Sequence, residues 1–387
     1  MPIACRNKLR FGKQFCVTEC PVARPGRPFH ARHVQRPDEI PPADERTIDV
    51  AILDMNYGWP NLGHDSLVHA VMDAACDILP GLEESGLAIR VVSYEVRKSG
   101  MVPEGPRGRY ALYLGTGGPG HLDPRGNDGF SPGSQGIKED PSWEPRLFRL
   151  FDAIHADDEA ALLSVCHTFG VMCRWAGVAR PVLRPPEKGG KSAGIQENVL
   201  TEEGRRHPWF RQLAAELPDG RRLRVMDHRL FDLLPRPDPL PEGFLPIGHE
   251  ARGVGGPVGE GLTMMEFARD RGGVMPRVFG VNHHPEIVDR ARQMMLLQQK
   301  LERGEVTREW SEERARIMSE TQPDDSEDRF LHLTSDYTLL GPLRFYLYRQ
   351  VRERAAALGL RFEVDETRTG GGEDAPAALQ ASPSQCG

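Results

Sequence analysis

Residues 162–170 read LLSVCHTFG. The run ALLSV (161–165) has the length and apolar character of a buried strand, and VMCRWAGV (171–178) reads as a helix. A strand that passes straight into a helix forces the residue between them into a tight turn. That turn would expose the sulfur of Cys166 at the amino end of the helix, where the helix dipole favours a thiolate. Ser164 and Thr168, two residues to either side, are small enough for such an elbow. The same letters also fit a packing cysteine at the end of a buried strand, so its surroundings must decide.

Outward from this stretch the pattern alternates. TIDVAIL begins at Thr47, LDMNYGWPNLG (53–63) supplies turn residues, and DSLVHAVMDAACDIL (65–79) has apolar residues at helical spacing. AIRVVSYEV (88–96) and YALYLG (110–115) read as two further strands. Strands alternating with helices predict a mainly parallel central sheet covered on both faces, a three-layer α/β sandwich. In such sheets reactive groups collect at the carboxyl edge. RLRVMDHRLFDLLP (222–235) and PRVFGVNHHPEI (276–287) are later strand-to-loop candidates and predict a mixed or antiparallel extension.

The chain has 387 residues, 39% hydrophobic and 27% charged, enough for one large domain with extensions. No apolar run is long enough to span a membrane. The net charge of -7 gives no general attraction to polyanions, so neither nucleic acid nor membrane is an expected partner. Residues 1–46 read as a basic, disordered arm: residues 1–36 hold eight Lys or Arg against the single acid Glu19, with Pro21, Pro25 and Pro28 and no apolar leader segment. A cytoplasmic location is the expectation. The seven cysteines form neither a disulfide scaffold nor a zinc pattern, and no metal is expected.

Residues 47–303 are expected to hold the α/β domain, with 288–303 helical. Residues 304–328 read as a charged linker, a helix follows from about Pro342 to Leu358, and 366–387 read as a disordered tail.

Two other loops carry chemistry. LGTGGPGHLDP (114–124) places Gly115, Gly117, Gly118 and Gly120 after a strand, either as an oxyanion cradle of backbone N–H groups or as a wide turn. GVNHHPEI (280–287) ends a strand with His284 and Glu286, a base and its orienting carboxylate or two loop residues.

Together GGPG (117–120), SVCHTFG (164–170) and HHPE (283–286) resemble the class I glutamine amidotransferase domain, whose signatures are a GGPG loop, a G-x-C-x-G-x-Q elbow and a late H-P-E, in that order. NVLTEEGRRHPWFRQL (198–213), VMDHRLFDLLP (225–235) and LPEGFLPIGHEARG (240–253) resemble the segments between, and the likeness covers roughly residues 47–300. The resemblance implies a flavodoxin-like sandwich with Cys166 as nucleophile, His284 as general base and acid, and Glu286 as its orienter. It implies backbone N–H groups at His167 and around Gly118 for the oxyanion, a thioester intermediate, and no cofactor.

The departures fall on the substrate pocket. The elbow glutamine of the family is Gly170 here and the elbow glycine is Thr168. Its S/N-H-G segment is Asp227, His228, Arg229, which sets an arginine beside the pocket. That arginine either changes the accepted head group or points to solvent, and Asp227 pairs with Arg229 or with a substrate amine. His167 follows the cysteine as in the intracellular cysteine peptidase branch of the superfamily and is an alternative base. The insert Arg125–Trp143 is either a lid or a surface loop.

The expected function is cysteine-dependent hydrolysis of a small-molecule carboxamide, glutamine or a related amide, with release or transfer of ammonia. No phosphate loop or synthetase-sized region follows residue 300, so an ammonia acceptor would be a separate synthetase subunit. The alternative is a metabolite-binding or regulatory module with an unused triad.

Overall fold

The computed structural model describes residues 28–185, 190–253, 255–321 and 329–363. Much of the basic arm (1–27), part of the charged stretch (322–328) and the tail (364–387) lie outside the described residues.

Among the described residues ten strands form one sheet. Its parallel part runs β1 (Phe29–Val34), β3 (Ala88–Glu95), β2 (Thr47–Asp54), β4 (Tyr110–Gly115), β5 (Ala161–Val165) and β12 (Pro276–Val281). Beyond β12 the pairing turns antiparallel through β11 (Val258–Arg269), β10 (Leu245–Ala251), β7 (Gly194–Leu200) and β8 (Arg222–Asp227). A separate antiparallel ribbon pairs β6 (Ala179–Leu183) with β9 (Phe231–Pro235). The order β3-β2-β4-β5-β12 is that of a flavodoxin-like doubly wound sheet.

The strand sequences explain the layers. β2 is buried at all eight positions, and its side chains alternate between two cores. Val50 and Ile52 pack with α1 (Leu62–Asp77) and α11 (Gly341–Ala357), while Ala51 and Leu53 pack with α4 (Glu144–Ala156) and α5 (His167–Trp175). A strand apolar on both faces is stable only between two helical layers. Asp49 on β2 is buried because Arg90 and Arg109, each 2.6 Å away, pair with it.

The arm reading fails for residues 29–34. They form β1, whose strand lies parallel to β3, and His33 reaches Asp54 at 3.0 Å. The expected linker is also more ordered than its charge suggests, since Arg308–Thr321 is a helix, α9. The expected helix near 342–358 is α11, which lines the core through Leu343, Tyr346, Leu347 and Val351. Among the described residues no helix is long and apolar enough to cross a membrane.

Candidate active site

Cys166 is the sole residue between β5 and α5, with φ +46° and ψ −99°. A non-glycine residue rarely takes a positive φ, and holding one there costs about 1–3 kcal/mol. The surroundings fix it. The Cys166 N–H donates to the Val281 carbonyl at 2.7 Å, and its own carbonyl accepts from Gly170 N–H at 2.9 Å. Thr168, where the resembled family has glycine, donates its hydroxyl to the Thr116 carbonyl at 2.7 Å. A Cβ on Gly115 would lie 2.3 Å from Thr168 Cγ2, so the bare glycine at the end of β4 makes room for the threonine side chain.

The partner histidine follows β12, seven strands after β5 in sequence but adjacent to it in the sheet. His284 Nδ1 meets Glu286 Oε1 at 2.8 Å, and the ring also hydrogen-bonds Cys166. Its backbone N–H donates to Met226 O at 2.7 Å, which fixes the ring's origin. The glycine loop closes the group: a Cβ on Gly117 would stand 2.8 Å from His284 Cε1 and 3.6 Å from Cys166 Cβ. Burial opposes a charge on the imidazole, yet the Glu286 carboxylate and the Cys166 sulfur outweigh it and raise the pKa of His284 well above the usual value. The carboxylate of Glu286 sits against Gly63 in the first turn of α1, where the helix dipole favours negative charge.

The remaining sequence-selected residues divide. Gly118 packs so tightly on the Met55 carbonyl that any Cβ would approach it to 2.3 Å. The Gly120 N–H donates to Gln135 Oε1 at 2.7 Å and is thereby taken, which removes it from the candidate oxyanion donors. The first-turn amide of His167 belongs to the set a helix leaves without an internal partner. The His167 ring is fully buried beside the Gly118 backbone without a well-formed hydrogen bond. Burial, and then the nearby Arg97 charge, hold it neutral. It is His284, not His167, that is bonded to the thiol.

The pocket flank corrects two expectations. Arg229 neither faces solvent nor stands free for a ligand: it is buried, 2.7 Å from Glu250 and 3.4 Å from both Asp227 and Asp232. Arg184 shares Asp232 at 2.5 Å and Glu250 at 3.3 Å. Asp227 therefore pairs with Arg229. Burial pushes its pKa up, but Arg229 and the Ser192 hydroxyl at 2.7 Å prevail and keep it low. His228 stands edge-on to His284 with ring centroids 5.9 Å apart, and burial with that neighbouring charge lowers its pKa to about 3. The space beside Gly170 is filled: a Cβ there would meet Leu122 Cδ1 at 2.5 Å.

The insert is neither an open lid nor a plain surface loop. Glu139 within it is fully buried, takes Arg97 at 2.7 Å and the Asn127 amide at 2.6 Å, and receives Trp143 Nε1 at 3.0 Å. Arg97 also donates to the carbonyls of Met55 at 2.9 Å and Pro119 at 2.6 Å, so one ion pair ties insert, glycine loop and β2 together. Arg97, Glu139, Gln135 and Leu122 all escaped the sequence reading, because a lone arginine after a strand or a leucine after a glycine loop carries no signal of its own.

No family model matches the chain, and no curated protein sequence does. Among solved structures it is similar to a glutamine amidotransferase from Thermotoga maritima, at 16% identity and a TM-score of 0.40, covering 79% of this chain and 98% of that one. It is also similar to a glutamine amidotransferase from Methylobacillus flagellatus, at 12% identity and a TM-score of 0.39, covering 82% and 96%. Superpositions this loose carry no argument about chemistry, which rests on the residues themselves.

Proposed function

We propose that this protein is a cysteine-dependent amide hydrolase or amidotransferase of the glutamine amidotransferase type, acting on the carboxamide of a small molecule. The observation that carries the reading is His284, bonded at once to Cys166 and Glu286 at the sheet edge where the cysteine holds a strained backbone.

In this reading His284 takes the thiol proton, and the thiolate attacks the carboxamide carbon. The oxygen becomes an oxyanion between the N–H groups of His167 and Gly118. As the C–N bond breaks, His284 returns its proton to the nitrogen, which leaves as ammonia, and the acyl group remains as a thioester on Cys166. Water then attacks the thioester while His284 takes its proton. The C–S bond breaks, the thiol is restored and a carboxylate leaves. Ammonia is either released or passed to a separate synthetase subunit.

A second reading draws on Leu122 beside Gly170. A site filled where the family's elbow glutamine would stand also suits a metabolite-binding module whose triad is unused. Incubation with a panel of amides including glutamine, followed by mass spectrometry of Cys166, separates the two. The enzyme reading expects an acyl adduct on Cys166 and a drop in ammonia release of about 10⁴-fold or more in Cys166→Ala, with the fold intact by circular dichroism. Ammonia release by that variant at the native rate would sink it.

A further inference from the structure

We propose that the C-terminal extension is a positioning element of the active site: Ser335 and Thr338 clamp the His283-His284-Pro285 loop and set where the His284 ring stands. The inference rests on the triad reading above and deepens it.

The extension runs through α10 (Arg329–Ser335), a π-helical turn (Asp336–Leu340) and α11. Two hydroxyls from it point at the loop, and both are buried. Ser335 Oγ donates to the Pro285 carbonyl at 2.6 Å. Thr338 Oγ1 donates to the Thr334 carbonyl at 2.7 Å, so towards the His283 ring, 3.3 Å away, it can only accept. His283 Nε2 therefore carries the proton, and Nδ1 accepts from the Asn198 amide of β7 at 3.3 Å. Every donor in this chain of bonds has one acceptor, and the assignment requires a neutral His283. Burial supplies that state by lowering its pKa to about 3.

His284 lies between these two anchored residues, and its own N–H is held by Met226. The loop is thus fixed at three successive residues, 283 and 285 by the extension and 284 by β8. The extension is fixed in turn, since Trp209 Nε1 donates to the Tyr337 carbonyl inside the π turn at 2.8 Å. A π turn inserts a residue into a helix and re-aims its side chains, a feature found often at functional sites. Here it presents Thr338 to His283 without breaking the helix, and α11 continues into the core. A shift of about 1 Å in a catalytic group can lower a rate about a hundredfold.

The test uses the full chain with Ser335→Ala, Thr338→Val and Thr338→Ser, and reads alkylation of Cys166 by iodoacetamide from pH 5 to 10, which needs no substrate. Native protein is expected to alkylate faster at neutral pH than a simple thiol, because in the triad reading His284 takes the proton of Cys166. Ser335→Ala and Thr338→Val are expected to lose about tenfold of that excess and to displace the pH profile, with Thr338→Ser restoring it, as expected for a group moved by a fraction of an ångström to 1 Å. If Thr338→Val does not fold, Ser335→Ala, which deletes one oxygen, reads the same quantity. An accelerated native thiol with unchanged profiles in folded variants overturns the clamp and leaves the triad standing. An ordinary native thiol overturns the triad, and the clamp with it.

Discussion

The imidazole of His284 and the guanidinium of Arg229 are both buried at the carboxyl edge of one sheet, yet they are provided for in different ways. His284 faces one carboxylate and one thiol, and the thiol is only partly buried. Arg229 faces three carboxylates, two of which also pair with Arg184. The first cluster sets one ionisable ring between a carboxylate and a thiol. The second spends its charges on one another and holds β8, β9 and β10 in register around the pocket. Buried charge is thus provided for in two ways, and what distinguishes the clusters is the count of partners; under the proposed function the first serves reaction and the second architecture.

Replacement of Glu286 by glutamine is the most severe way to break this contrast. The Glu286 carboxylate raises the His284 pKa, so its removal lowers that pKa, and the protonated ring needed by the leaving nitrogen is lost at a lower pH. The alkaline limb of kcat/KM is expected to move to lower pH, and the maximal rate to fall about a hundredfold or more, as when the orienting acid of a triad is removed. Amide hydrolysis followed across pH checks both. A rate that drops with both limbs in place would mean that Glu286 acts only through folding.

The contrast was half legible in the sequence. β4 and β5 match their predicted spans because each is a short apolar run between turn residues. Cys166, His284 and Glu286 were selected from three short motifs and do meet in space. β1 is hidden because FHARHV is an edge strand buried only at Phe29 and Val34, and His30, Arg32 and His33 give it the composition of an arm as much as of a strand. The fate of Arg229 is legible only in part: Asp227 is a candidate partner by its closeness in sequence, whereas Glu250 comes from β10, and Asp232 and Glu250 are shared with the distant Arg184. A charge run reveals neighbours along the chain, whereas neutralisation depends on neighbours in space.

Arg229→Met sharpens the comparison from the other side. It strips the cation from three buried carboxylates, and breaking such a buried network is expected to destabilise the fold by about 3–5 kcal/mol. Urea unfolding measures this. The Cys166 alkylation rate of the folded fraction should change by far less than the stability does, since Arg229 acts on the thiol only through its charge, and the thiol is the weakest of its carboxylate and sulfur neighbours. A raised KM at native stability would show instead that Arg229 reads the substrate.

The smallest expected effect concerns Gly170, where the resembled family carries glutamine. Restoring that residue does not restore a pocket, because Leu122, itself buried, already stands 2.5 Å from where a Cβ would lie. Gly170→Gln is expected to overpack the site and lower stability by about 1–3 kcal/mol. Combined with Leu122→Ala, the glutamine side chain gains the vacated volume, and the double variant should be more stable than the sum of the two single changes, a coupling that a double-mutant cycle measures. If the Leu122 side chain is what closes the family's glutamine subsite, glutamine should acylate Cys166 faster in the double variant than in Gly170→Gln alone. Strictly additive stabilities would mean that these side chains do not compete for one space, and the occlusion of the pocket would need another cause.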